Sequence, residues 1–286
     1  MVTEKIELKI VTPLFMSGTD SNKAELRVPS IKGVMRYFYR AAMAEDNLEK
    51  LREKEVSSLG GIIRDKSLRS PVELYVPKYT LRVRRYYPLP HKKNFKKECF
   101  YPSDTFAILF SSSSLYKYKL DKFLNLFYLT LLMGGFGKRS RRGFGSLSYK
   151  EFSNVDAFKQ ELKKLFYSFN GTKINWNDNE NNIYSEAKIH ENKKYIYPVI
   201  RSVFISKNGF DSWEKAVESI GYATHNREDS GKLGYASKSG RLASPIIISV
   251  KQIGRRYHIV ASIMNSLDKS IYEKFLNNIL EGKNEQ

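Results

Sequence analysis

Three features of this sequence predict an α+β fold of two tandem ferredoxin-like (RRM-like, βαββαβ) domains. Its 286 residues suit two domains at roughly 150 residues each. Its first half reads strand, helix, strands, helix, strand, the order of a split βαβ unit. Its second half repeats that order more weakly.

In the first half, Ile6, Leu8 and Ile10 alternate with polar residues, the period of a half-buried strand, and Pro13 ends it. A helix is predicted over 31–45 with Ser30 as its N-cap. Its Ile31, Val34, Met35, Phe38, Ala41 and Ala42 fall on one arc. Strand-like runs follow at 72–76, 79–83 and 105–110. Leu120, Phe123, Leu124, Phe127 and Leu131 recur at helical spacing over 120–133, and Gly134 with Gly135 stops that helix. Residues 144–149 read as a closing strand. A helix over 155–169 and an asparagine-rich loop over 175–182 set the boundaries: an N-terminal domain at 1–150, a helix and polar linker at 151–195, and a C-terminal domain at 196–286. The last of these reads as a strand over 197–205, a helix over 211–220, strands at 246–250 and 257–263, and a helix over 268–280.

Composition narrows the function. Forty-nine Lys and Arg against 30 Asp and Glu leave a net charge of +19, so a polyanionic partner is expected. The excess is concentrated in residues 1–150, with 29 basic and 14 acidic residues, against 20 and 16 in the remainder. A chain that is 41% hydrophobic and 13% aromatic is not a disordered tail. Its one cysteine, Cys99, has no partner for a disulfide or a Cys-x-x-Cys zinc pair. With no apolar leader or ~20-residue apolar span, a cytoplasmic location and no membrane contact are expected. No cofactor and no metal site are expected from the spacing of the acids and histidines.

Three segments concentrate the cations. Residues 134–145 (GGFGKRSRRGFG) carry five glycines with Lys138, Arg139, Arg141 and Arg142. Glycine lets backbone N–H groups approach oxygen-rich ligands, so this loop is expected to cradle phosphodiesters. It follows a helix and lacks the Gly-Lys-Ser/Thr ending of a nucleotide-hydrolase phosphate loop. On the 31–45 helix, Lys32, Arg36 and Arg40 recur every four residues opposite the apolar arc, with Arg27 just upstream. That stripe, and the free N–H groups of the helix start, are expected to face phosphate. Residues 79–100 interleave Arg82, Arg84, Arg85, Lys92, Lys93, Lys96 and Lys97 with Tyr86, Tyr87, Phe95 and Phe100, a pattern suited to backbone attraction and base stacking on a projecting hairpin. A long loop over 221–244, with His225, Arg227, Lys232, Lys238 and Arg241, reads as a secondary contact surface.

The segment from Thr12 to Arg40, with TPLFMSGTD and ELRVPSIKGVMRYFYRA, and the loop GGFGKRSRRGFGSL together resemble the RAMP superfamily of CRISPR proteins. Within it the chain is similar to the first-numbered RAMP subunit of the Cmr, or type III-B, effector complex. Arg241, Ser244 and Pro245 (RLASP) match the second half of that family, whereas Leu59, Gly60 and Gly61 depart from its usual Phe-Gly pair. The resemblance implies paired ferredoxin-like modules seated near the 3′ end of the guide crRNA, contacting guide or target RNA beside other Cmr RAMP subunits. It implies RNA contact at Lys32, Arg36, Arg40, Lys138, Arg139, Arg141 and Arg142, to which the basic context adds Arg27, Arg84 and Arg85. It also implies that nuclease activity belongs to other subunits.

Some RAMP proteins are metal-independent endoribonucleases using His or Tyr as acid and base, the alternative reading being one that processes CRISPR RNA. The histidines here, His91, His190, His225 and His258, are scattered in the sequence, and His225 is the best candidate for such chemistry. Asp20 alone is a weak metal or acid–base candidate. A non-catalytic RNA-binding subunit is therefore the expectation.

Overall fold

The computed structural model describes residues 1–178, 182–190, 195–225, 232–237, 240–264 and 269–280. Its first sheet is built from β1 (Val2–Ile10), β4 (Val72–Tyr75), β7 (Thr105–Ser112) and β8 (Leu147–Ser148) in the order β4-β7-β1-β8, all antiparallel. The alternation of Ile6, Leu8 and Ile10 sets the register: Leu8 and Ile10 point into the core, and Leu8 lies opposite Phe106. Two small hairpins decorate this half, β2 (Gly61–Ile63) with β3 (Lys66–Leu68), and β5 (Val83–Tyr86) with β6 (Lys97–Phe100).

Helix α3 (Lys117–Met133) packs on this sheet, α1 (Val28–Met43) and α4 (Val155–Asn170) pack against α3, and α2 (Leu48–Leu59) packs against α1. Met35, Phe38, Phe110, Phe127 and Phe158 meet in the resulting core. Helix α1 starts earlier than the periodicity indicates. Arg27 is its N-cap, with Pro29 in the first turn where its missing N–H costs nothing, and the Ser30 side chain does not cap. The amide of Ile31 already donates to the Arg27 carbonyl, so the expected free N–H groups at 31 and 32 belong to the helix ladder.

The second sheet has the order β14-β15-β11-β10-β9, formed by β9 (Asn175–Asn177), β10 (Tyr184–Lys188), β11 (Ile200–Ser206), β14 (Ile246–Ile253) and β15 (Arg256–Met264). Helices α5 (Trp213–Ala223) and α6 (Lys269–Leu280) pack together beside it, and β12 (Tyr235–Ser237) pairs with β13 (Gly240–Leu242). The segment read as linker therefore supplies two strands. Strand β10 precedes β11 in sequence yet takes the sheet position beside it, so the second half is completed from its N-terminal side. Tyr184 and Ala187 are buried there, which the surrounding asparagines obscure.

The hydrophobic clusters do not divide one per half. Phe15, Cys99 and Phe144 of the first half pack with Trp213, Val217 and Ile248 of the second. Ile200, Val203 and Met264 join the cluster of Phe38 and Phe127. Among the described residues, no helix is long and apolar enough to cross a membrane.

Candidate nucleic-acid interface

The glycine-rich loop follows α3 directly and turns inward. Gly145 adopts φ 64°, and a Cβ there would overlap the carbonyl of Phe136. The loop thus folds tightly on itself, and the Phe136 amide donates to the Gly145 carbonyl at 2.9 Å. Three further amides are committed to the fold: Lys138 N–H to Phe15 O at 2.7 Å, Gly143 N–H to Ile248 O at 3.0 Å and Gly145 N–H to Pro13 O at 3.0 Å. Gly143 and Gly145 allow close backbone packing, and their N–H groups face carbonyls of the fold rather than an open phosphate cradle.

The four cations of the loop diverge. Arg142 donates to Ser244 Oγ at 2.9 Å and to the Leu233 carbonyl at 3.1 Å, and burial followed by the neighbouring Arg139 and Arg141 lowers its pKa to about 10. Arg141 donates to the Ser244 carbonyl at 2.5 Å and lies over the Tyr37 ring at 4.8 Å. Both tie the second half to the first through Ser244 and Leu233. Arg139 sits at φ 62° with its Nε buried and unpartnered, and burial lowers its pKa. Lys138 is exposed, donating to the Ser21 carbonyl at 2.9 Å.

The α1 stripe is also largely engaged. Arg36 donates to Glu55 Oε1 at 2.9 Å and to the carbonyls of Leu59 at 2.9 Å and Gly60 at 2.5 Å. Arg40 lies 3.6 Å from the other Glu55 oxygen. Glu55 comes from the next helix, so a search of α1 for partners four residues away misses it. Arg36 thereby clasps α1 to α2. Lys32 is half-buried, its pKa lowered by burial and then by Arg36. Arg27 lies 3.8 Å from Glu25.

The β5–β6 hairpin is the more open basic surface. Its first strand starts at Val83 rather than Tyr79, so Arg84 and Arg85 lie on paired, exposed backbone opposite Cys99 and Glu98. Arg85 reaches the Lys96 carbonyl at 3.4 Å. Lys92 and Lys96 are exposed, Lys96 over the Tyr87 ring at 4.9 Å. Lys138 lies alongside, close enough to Lys97 for like-charge repulsion to lower its pKa after burial. Among the described residues, no carboxylate lies within 4 Å of the side-chain nitrogens of Arg84, Arg85, Lys92, Lys96 or Lys138, whereas Lys93 is 3.7 Å from Glu218 and Arg82 is 2.7 Å from Asp104.

The hairpin's aromatic residues are mostly not a stacking platform. Tyr86 packs 5.1 Å from Trp213, and burial raises its hydroxyl pKa to about 12. Phe100 is core, and only Phe95 is substantially exposed. Pro88 and Pro90 are buried, so the segment docks on α5 instead of projecting.

Docking also brings together histidines that are 134 positions apart. The His91 and His225 rings lie 5.1 Å apart beside Arg139 and Arg142. No sequence spacing signals this pairing. His190 contacts the Ala42 carbonyl at 3.2 Å and His258 the Ser206 carbonyl at 2.8 Å, both within the fold. Asp20 accepts from the Asn22 amide at 2.9 Å in a turn. Arg227 and Lys238 of the long loop lie outside the described residues, as does Asp268 at the predicted start of the last helix.

Residues 7–148 match the RAMP superfamily. The CRISPR system Cmr subunit Cmr1-2 of Pyrococcus furiosus is 31% identical over a 176-residue alignment that takes in 49% of this chain and 91% of the relative. Subunit Cmr1-1 of the same organism is 28% identical over 195 residues, 58% of this chain and 57% of that one. The crystal structure of Cmr1 from Pyrococcus furiosus in its apo form superposes with a TM-score of 0.59 at 16% identity, covering 98% of this chain and 97% of the other. A chain of the type III-B Cmr-beta complex bound to cognate target RNA gives 0.63 at 13% identity, covering 97% and 98%. At those identities the superpositions show a shared fold.

Proposed function

Because this chain belongs to the RAMP superfamily and resembles Cmr1, we propose that it is a non-catalytic RNA-binding subunit of a type III-B (Cmr) CRISPR effector complex. It engages the guide crRNA near its 3′ end, the target RNA, or both, and works beside other Cmr RAMP subunits through paired ferredoxin-like modules. One observation carries the RNA-binding reading: Arg84, Arg85, Lys92, Lys96 and Lys138 are exposed and, among the described residues, have no carboxylate partner within 4 Å. Cations without internal partners are the ones that can release counterions from a phosphate backbone. The same groups supply no acid–base pair aimed at a ribose hydroxyl, which favours binding over cutting.

Purifying a tagged chain from its native cell and sequencing the bound RNA tests this reading. CRISPR guide RNAs and co-purified Cmr subunits are expected; ribosomal RNA alone would overturn it.

A second reading, metal-independent RNA cleavage, draws on the His91–His225 pair. Incubating labelled RNA with the protein decides between them. Intact RNA with and without Mg²⁺ supports the binding role, and cleavage lost in His225→Ala supports the endoribonuclease.

A further inference from the structure

Three segments distant in sequence converge at the junction of the two halves: the connection between β5 and β6, the glycine-rich loop, and the C-terminal end of α5. Between them lies a recess of about 300 Å³ lined by His91, Lys92, Arg139, Arg142, Thr224 and His225, with no carboxylate lining it among the described residues. That volume is at the small end of ligand sites. Three of these side chains are permanently cationic types, and the carbonyl and hydroxyl partners of Arg142 leave its charge uncompensated. Both ring nitrogens of His91 and the Nε of Arg139 are buried with no hydrogen-bond partner among the described residues. Buried polar groups are normally paired, so the Arg139 Nε–H and the one N–H that a neutral His91 carries point to a ligand that accepts from them.

The position of His91 is itself built. Gly221 sits in the last turns of α5, where alanine would be the better helix former by about 1 kcal/mol. A Cβ at Gly221 would lie 2.6 Å from His91 Nδ1, so glycine is what allows the imidazole to seat against the helix. Burial, with His225 next, lowers the His91 pKa to about 4. A neutral imidazole presents one N–H donor and one acceptor.

We propose that this recess binds a phosphomonoester, the terminal phosphate of an RNA strand. A phosphodiester carries one negative charge and continues in both directions, whereas a phosphomonoester carries close to two near neutral pH and enters from one side. The dianion matches a small site with several cations and no acid among the described residues, and arginine donors suit its oxygens. The RNA source of that phosphate rests on the RNA-binding reading above; the phosphate chemistry does not, and a free mononucleotide would satisfy it equally.

The test compares oligoribonucleotides of one sequence ending in 3′-phosphate, 5′-phosphate or hydroxyl, bound to wild type, His91→Phe, Lys92→Ala and Gly221→Ala. Wild type is expected to prefer one phosphate end by about tenfold, or roughly 1.4 kcal/mol. Each variant should shrink that preference toward one; His91→Phe and Gly221→Ala should leave hydroxyl-ended RNA binding unchanged, and Lys92→Ala should weaken phosphate-ended RNA more than hydroxyl-ended RNA. Lys92 is exposed, so Lys92→Ala keeps the comparison valid if another variant does not fold. Thermal shifts with inorganic phosphate and with a nucleoside monophosphate form the second arm. Stabilisation of wild type but not of the variants, without an RNA end preference, assigns the same site to a free ligand. Equal binding of all ends together with no thermal shift overturns the proposal, even if RNA still binds. Loss of all RNA binding with the thermal shift retained would fail the RNA reading and leave the phosphate site standing.

Discussion

The ammonium nitrogen of Lys251 lies 3.3 Å from the carbonyl oxygen of Gly134. It also donates to the Leu131 carbonyl, so a residue of β14 caps the C-terminal end of α3 in the other half. Orphan carbonyls at a helix end need donors, and here the second sheet supplies one in place of water. The side chain is only 3% exposed, and burial lowers its pKa to about 7.

Stability should therefore depend on pH through Lys251. Its folded pKa lies below its unfolded one, so between about pH 7 and the ordinary lysine range the unfolded chain holds a proton that the folded chain lacks. Stability rises with pH across that window, and below it, where both states are protonated, the dependence flattens. The slope is about 1 kcal/mol per pH unit. Urea unfolding of wild type and Lys251→Met from about pH 6 to pH 9 isolates the effect as the difference between them. A difference that does not change with pH would mean that the ammonium stays charged in the fold.

Arg142→Ala should unfold more readily before it binds RNA less well. The substitution strands the Leu233 carbonyl in a part-buried junction and removes one of the donors to the Ser244 hydroxyl, which keeps the Ile246 amide, at a cost of about 2 kcal/mol. Chemical denaturation should show a lower midpoint. An unchanged midpoint with weakened RNA binding would return Arg142 to the interface.

How far the sequence reveals this architecture depends on the range of the interaction. The alternation at Ile6, Leu8 and Ile10 and the period of Leu120 to Leu131 are local, and both elements form where those patterns lie. Density of charge is also local, and the basic segments are correctly located. Availability of charge is not: Glu55 reaches Arg36 from another helix, and Ser244 meets Arg142 from 102 positions away. Strands β9 and β10 escape the sequence for the converse reason, since pairing of β10 with β11, and of β9 with β10, turns that polar segment into sheet.

Arg36→Ala should separate the two roles of α1. Three hydrogen bonds to Glu55, Leu59 and Gly60 join this guanidinium to α2, so the variant should lose about 1–3 kcal/mol of stability. Its RNA affinity should keep the wild-type salt dependence. Full stability with a shallower salt slope would show that the α1 stripe meets phosphate.

Arg84→Ala combined with Arg85→Ala should give the opposite signature. Both side chains are exposed on β5, and neither has a carboxylate partner among the described residues. Truncation removes no buried contact, and the unfolding midpoint should stay within the ±0.5 kcal/mol range typical of surface changes. If each arginine neutralises a phosphate on single-stranded RNA, each contributes ~0.7 to the slope of log K against log salt, and the pair about 1.4. Titrating one oligoribonucleotide at several salt concentrations measures that slope directly. Repeating it with an unrelated sequence should give the same decrease, because phosphate contacts carry no base information. A slope equal to wild type would remove the β5–β6 hairpin from the interface, and a loss confined to one sequence would make these arginines readers of bases.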